Sequence, residues 1–340
     1  MNIKVVAERA QVSPGTVSNV LNHPQRVAEA TRERVLAAIN EVGYVRNGSA
    51  SQLRRLRNNA IGLLMIDVRN SFLCELARGA QDAAEEAGYS VLLSDADRSS
   101  ERLARNLDFL VEQRVAGILV TGSSIEGIPQ RLESLRDRGI AIVRADETFQ
   151  DRSHCAAGVD DIHGGELVGT HLLELGRRRI GFLQAGIAFR PFDDRLTGIT
   201  RAVAGHASAR VVEARVPGTD LEEVGDAVDE LLAAGVDAIA CANDPMALAV
   251  LRNLNERGIS IPDDVALIGY DDAEFAAVVT PPLSSVRQPA RLVGAASARL
   301  LIEECSDEPH QHRHVMFQPE LVARASTLGS RDGAASAGAS

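Results

Sequence analysis

Apolar residues recur at helical spacing through the first forty residues, and the rhythm then changes. Ile3, Val6, Ala7 and Ala10 predict a helix over 3–10, with Asn2 as its N-cap. A second helix starts at Ser13-Pro14, where serine caps and proline loses nothing by lacking an N–H. Its stripe is Val17, Val20 and Leu21. Thr16, Ser18, Asn19 and Asn22 fall on other faces, and His23-Pro24 ends it. A third helix spans 29–42, with Val35, Leu36, Ala38, Ile39 and Val42 inward and Gly43 as terminator. Two short helices across a tight turn, braced by a longer one, predict a helix-turn-helix unit. A small helical bundle fits the same pattern.

From residue 60 the pattern alternates between short apolar runs and amphipathic stretches. Runs at 60–66, 89–94, 116–121 and 140–143 are separated by helical segments at 72–87, 101–113 and 125–138. A second series places strands at 180–184, 211–216, 238–242 and 265–270 among helices at 163–175, 195–204, 221–234 and 245–257. A last helix covers 291–304. Apolar strands between amphipathic helices predict an α/β body of doubly wound parallel sheets, covered on both faces. Two series predict two lobes with a cleft between them. Ligands in such sheets sit beyond the carboxyl ends of the strands. The residues there include Asp67, Asn70, Phe72, Thr121, Arg144, Asp160, Asn243 and Asp271.

Composition changes the picture in two ways. With 340 residues, 45% of them hydrophobic, the chain can pack two or three domains. No apolar run has the length of a membrane span, and no signal-like segment opens the chain, so a cytoplasmic protein is expected, on the nucleoid when bound to DNA. Charge is uneven. Residues 1–57 hold nine Lys/Arg and four Glu, a net +5, against −11 for the whole, which leaves −16 elsewhere. A basic module on an acidic body suits contact with phosphates at one end, although a solvated charged face gives the same count. Cys74, Cys155, Cys241 and Cys305 form no CxxC pair and read as reduced, mostly buried residues.

The run from Val6 to Asn22 carries the motif VAxxAxVSxxTVSxVLN, and Thr31-Arg32-Glu33-Arg34-Val35 and Gly43-Tyr44-Val45-Arg46-Asn47 follow it. These segments resemble the headpiece of the lactose-repressor/galactose-repressor family of bacterial transcriptional regulators. The resemblance implies that the second helix enters the major groove with Pro14, Gly15 and Asn19 toward base edges. Ser13, Thr16, Ser18, Asn22, Thr31, Tyr44 and Asn47 match phosphate-contacting positions. Pro14 and Gly15 have no hydrogen-bonding side chain, so readout leans on Thr16, on Asn19 (suited to the adenine edge) and on the hinge. Gln11 stands where a glycine is common. Residues 47–58 match the family's hinge, with Leu53 as the wedge between minor-groove base pairs and Ala50 beside it.

The body resembles the same family and the related periplasmic sugar-binding proteins. Arg195-Leu196-x-Gly198, Ala242-Asn243-Asp244-x-Met246-Ala247 and Ile268-Gly269-Tyr270-Asp271-Asp272 carry the likeness. It implies that Arg195, Asn243, Asp271 and Gln288 face the cleft, with Phe72 as a wall. Asn70-Ser71-Phe72-Leu73 replaces the family's common Asn-Pro-Phe-Phe. Other readings stay open: Asn243 as a helix cap, Asp271 as a turn residue, Arg195 as a surface charge, Arg144 and Asp160 as loop polarity.

The implied organisation is a headpiece at 1–46, a hinge at 47–58 and a ligand-binding, dimerising body at 59–328. Lobe 1 would hold 59–159 and 289–318, and lobe 2 would hold 160–287 and 319–328. A disordered tail at 329–340 completes the chain. The implied protein is a homodimeric repressor of a pseudo-palindromic DNA operator, controlled by a small polar effector, a carbohydrate before a nucleoside or sugar phosphate. An activator is the alternative, and a sugar-binding protein without a DNA role a distant one. No P-loop, GxSxG or HExxH motif is present, so no enzyme, catalytic residue or cofactor is expected. His310-Gln311-His312-Arg313-His314 reads as alternating histidines on an exposed strand or loop, with no metal expected.

Overall fold

The computed structural model describes residues 3–44, 59–122, 125, 127–145, 153–187, 189–217, 223–306 and 311–329. The chain divides into two units, Met1–Asn58 and Asn59–Ser340. No helix among the described residues is long and apolar enough to cross a membrane.

The first unit holds α1 (Ile3–Arg9), α2 (Pro14–Asn22), a 3-10 turn (Pro24–Arg26) and α3 (Glu29–Val42). Val6, Ala7, Ala10, Val17, Val20, Val35 and Ala38 form its core. Leu36, expected inward, is exposed, because Val35 and Ala38 already set the buried face of α3. Gln11 takes a left-handed φ of 51° in the turn between α1 and α2, the conformation that a glycine adopts without strain. Gly43 closes α3 at φ 59°.

In the second unit, one sheet has the order β11-β5-β4-β3-β1-β2, all parallel. Its strands are β1 (Ala60–Met65), β2 (Ser90–Asp95), β3 (Gly117–Val120), β4 (Ala141–Ala145), β5 (Ala156–Val159) and β11 (His314–Phe317). Helices α4 (Ser71–Glu86), α5 (Ser100–Glu112), α6 (Ile128–Asp137) and α11 (Ala290–Glu304) cover its faces. Ile61, Leu63 and Met65 pack toward α4 and α11, while Leu64 joins Ile118, Leu103 and Leu107 on the opposite face. A strand buried on both faces is why the 60–66 run is apolar throughout.

The other sheet has the order β7-β6-β8-β9, again parallel. Its strands are β6 (Arg179–Ala185), β7 (Arg210–Val216), β8 (Ala238–Cys241) and β9 (Ala266–Ile268). Helices α7 (Asp161–Glu174), α8 (Arg190–Ala204), α9 (Val224–Ala233) and α10 (Asp244–Glu256) flank it. β10 (Ser285–Arg287) pairs antiparallel with β12 (Glu320–Val322), and α12 (Ala325–Leu328) ends the described chain. Helix α8 begins at Arg190, five residues before the expected start, with Pro191 in its first turn. The chain passes between lobes three times, from β5 into α7, from β10 into α11 and from β11 into β12.

Each lobe has one helix pair that touches backbone to backbone. A Cβ on Gly165 of α7 would lie 2.1 Å from the Arg195 carbonyl oxygen, and one on Gly198 of α8 would lie 2.0 Å from that of Ile162. Gly79 of α4 and Gly294 of α11 play the same part in the other lobe.

Candidate functional site

A cavity of about 810 Å3, counting the solvent at its mouth, opens between the carboxyl ends of the two sheets. Lobe 1 contributes Asp67 just past β1, Asn70 at the N-cap of α4, Phe72 in its first turn, and Arg98. Lobe 2 contributes Phe189 and Phe192 at the start of α8, Arg195 one turn on, Asn243 and Met246 at the start of α10, and Asp271 beyond β9. Gln288 enters from the crossover into α11.

The polar groups are held in fixed directions. Arg195 is buried, and its Nε donates to Asp161 Oδ1 at 2.8 Å while Nη1 donates to the Ala242 carbonyl. Its guanidinium lies 3.7 Å from the centre of the Tyr270 ring and 5.6 Å from that of Phe192. Burial works against its charge, but Asp161, Tyr270 and Asp271 outweigh that and hold it protonated. Asp271 Oδ1 accepts from Gln288 Nε2 at 2.6 Å, and Oδ2 accepts from Asn70 Nδ2 at 3.5 Å. That second bond crosses from one lobe to the other. Burial pushes the Asp271 carboxyl up to about 6 against the pull of Arg195. Asp67 accepts from Arg98 Nε at 2.6 Å and from Arg69 Nε at 2.9 Å. Burial would raise its carboxyl, yet the bonds from Arg69 and the charges of Arg98 and Arg69 hold it below the usual range. Carboxylate acceptors, guanidinium donors and amides against an apolar aromatic wall can grip a small molecule that carries several hydroxyls.

Of the residues expected in the cleft, the structure brings together Phe72, Arg195, Asn243, Asp271 and Gln288. Asn243 lines the cavity and also caps α10, accepting from the Met246 amide at 3.0 Å. Arg195 is no surface charge. Thr121, Arg144 and Asp160 lie away from the cavity, which corrects the expectation. Thr121 Oγ1 accepts from the Ile66 amide at 3.0 Å and ties β3 to the end of β1. Arg144 reaches toward Glu133, 3.9 Å away. Asp160 caps α7 through the His163 amide at 3.0 Å. A polar residue past a strand serves as a cap or strut as readily as a ligand, and position alone does not separate the two. Sequence reading missed Asp161, Arg98, Phe189 and Phe192. Two of the eight phenylalanines of the chain fall within four residues of each other at the start of α8, the one signal available for that wall.

In the first unit, Ser13 Oγ accepts from the Thr16 amide at 3.1 Å and lies 3.0 Å from Thr16 Oγ1. Ser13, Pro14, Gly15 and Asn19 are exposed along α2, and Thr16 and Ser18 are half-buried. Thr31 and Tyr44 are also half-buried, Tyr44 against the core. The side chain of Asn22 and the residues Asn47, Ala50 and Leu53 lie outside the described residues. Arg9 is paired with Glu41 and the half-buried Arg32 with Glu29, and Lys4, Arg26 and Arg34 are exposed.

Residues 2–47 match the family model described as bacterial regulatory proteins, lacI family, and residues 170–327 match a periplasmic binding protein-like domain. The regulator MalR of Streptomyces coelicolor is 33% identical over 96% of this chain and 96% of its own. The repressor PurR of Aliivibrio fischeri is 32% identical over 96% of this chain and 98% of its own. Among solved structures, the lac repressor dimer bound to operator and the anti-inducer ONPF has a TM-score of 0.84 at 26% identity, covering 96% of this chain and 99% of that one. The transcriptional regulator CelR–cellobiose complex has a TM-score of 0.71 at 30% identity, with the same coverage. These relatives are regulators and not enzymes. The chain belongs to the LacI family: it is a DNA-binding transcriptional regulator with an N-terminal helix-turn-helix and a periplasmic-binding-protein-like effector-binding body.

Proposed function

We propose that this regulator is a homodimeric repressor that binds a pseudo-palindromic operator and takes a carbohydrate as effector. The observation that carries the effector class is the cleft itself. Arg195, Asp271, Gln288 and Asn70 set donors and acceptors beside Phe72, Phe189 and Phe192, and a sugar offers hydroxyls to the first group and ring C–H faces to the second. A solved relative named as a cellobiose complex supports this reading. The DNA role rests on α2, whose exposed edge presents Pro14, Gly15 and Asn19 beside the half-buried Thr16, with Ser13, Ser18, Asn22, Thr31, Tyr44 and Asn47 as proposed phosphate contacts. Leu53, with Ala50, is the proposed minor-groove wedge. The proposed organisation is a headpiece at 1–46, a hinge at 47–58 and a body at 59–328. A two-fold dimer gives each half-site one headpiece.

The test is a thermal-shift screen of mono- and disaccharides and nucleosides on the full chain, since a ligand that prefers the folded state raises Tm by mass action. Hits then enter an operator-binding titration at fixed salt. A sugar that raises Tm and changes operator affinity supports the reading, and a screen in which only nucleosides act replaces it. The Phe189–Phe192 pair, with ring centres 4.9 Å apart and nearly perpendicular, is what favours the nucleoside alternative, because a flat base stacks on such a wall.

A further inference from the structure

Far from the cleft, three segments converge at the amino-terminal end of the β5–β11 pair. Cys155 immediately precedes β5, Glu304 is the last residue of α11, and His312 lies two residues before β11. The Cys155 sulfur, a Glu304 carboxylate oxygen and a His312 ring nitrogen all lie within 4.8 Å of one another. Cys155 Sγ is 3.8 Å from His312 Nδ1, and that nitrogen is 3.3 Å from Glu304 Oε1. Around a tetrahedral zinc ion, bonds near 2.0–2.3 Å put neighbouring ligand atoms roughly 3.3–3.6 Å apart. The two spacings to His312 Nδ1 are already within a few tenths of an ångström of that.

We propose that Cys155, Glu304 and His312 bind one Zn2+ ion per chain. A thiolate, an imidazole and a carboxylate are the donor types zinc takes, and the two anionic ligands balance its charge. The backbone amide of Arg313 donates to Cys155 Sγ at 3.4 Å, a bond that favours sulfur carrying negative charge. Cys155 is buried, so its sulfur is shielded from competing chemistry. His312 is half-open to solvent, which gives the ion a path in and leaves the fourth position to water. Binding displaces the thiol proton to solvent and leaves the oxidation state of the ion unchanged. The ion joins the end of α11 to β5 and β11, and both strands run on into crossovers between the lobes. Zinc at this point therefore fixes the edge of the sheet from which the lobes hinge.

The full-length protein, stripped with a chelator and moved to metal-free buffer, is titrated with Zn2+ in competition with a chromophoric chelator. One ion per chain is expected. Cys155→Ser and His312→Ala each weaken binding by about 100-fold or more, and Cys74→Ser leaves it unchanged. Co2+ in place of Zn2+ gives a sulfur-to-cobalt charge-transfer band that Cys155→Ser abolishes. Absence of stoichiometric binding, or binding that survives both ligand substitutions, overturns the proposal. The exposed position of His312 keeps His312→Ala folded, so the test stands even if Cys155→Ser does not fold.

Discussion

Arg195 both lines the cavity and pairs with Asp161, and burial decides which of the two comes first. Its guanidinium neutralises Asp161, a carboxylate only 2% exposed, before it can meet any effector. Arg195→Ala therefore strands a buried charge and should destabilise the body by about 3–5 kcal/mol, measured by urea unfolding. Asp271→Asn is the cleaner probe of recognition, because it keeps the shape and loses the charged acceptor. It should weaken sugar binding by about 1.5–3 kcal/mol in calorimetry and leave operator affinity unchanged. The pH dependence has two opposed signs. The free Asp271 carboxyl titrates at about 6, above its unfolded value, so its contribution to stability falls as pH rises from 4 to 6 and is level beyond. Asp244, pushed up to about 7 by burial, acts in the same direction. A hydroxyl donor prefers the ionised Asp271, so sugar affinity should rise through pH 6, by up to about tenfold per unit below it. Tm measured with and without sugar at pH 5 and 7.5 checks both signs. A ligand shift that shrinks at the higher pH removes Asp271 from the site.

Helices α7 and α8 approach so closely that the position of the site depends on them. Gly165 rests on the carbonyl of Arg195 itself. Gly165→Ala should push α8 outward, with a loss of about 1–3 kcal/mol in stability and weaker sugar binding, read in the same unfolding and calorimetric assays. In the other unit, Asn19 lies exposed on α2, whose buried side is Val17 and Val20. Asn19→Ala should cost about 1–3 kcal/mol at one base pair of the operator and little on random DNA, as gel-shift competition would show. Much of this was legible in the chain. Helix α2 follows from Ser13-Pro14 and its valine stripe, and β1 from an unbroken apolar run. The short strands β5, β10, β11 and β12 were not legible, since three or four residues are too few to show a periodicity of their own. In the site, Arg195, Asn243 and Asp271 follow from motif and strand-end position. Asp161 does not, because nothing local distinguishes it from Asp160. Only the helical phase of α7 decides which of the two turns inward.

At the scale of the whole molecule, the proposed control requires an effector to bind two arrangements of the lobes with different affinity. The Asn70–Asp271 bond spans the cleft, so an effector that takes Asp271 also alters what holds the lobes together. If it shifts operator affinity by some factor, operator must shift effector affinity by the same factor. Calorimetry with and without operator DNA tests that equality, and unequal factors would mean that the two sites are not linked by a single equilibrium. Leu53→Ala should lower operator affinity strongly while leaving sugar binding intact; an unchanged operator affinity removes the wedge. The three passages between lobes have a further consequence, for biosynthesis. The core beside α4 is completed by Val293, Ala298, Leu300 and Leu301 of α11, with Val315 and Phe317 of β11 against it. On the ribosome, then, the lobe whose strands are made first cannot finish until residue 317 has emerged. Most of the second lobe, 160–287, is thus translated inside a first lobe that is still incomplete, and the cleft gains both of its walls in finished form only once residue 317 has followed.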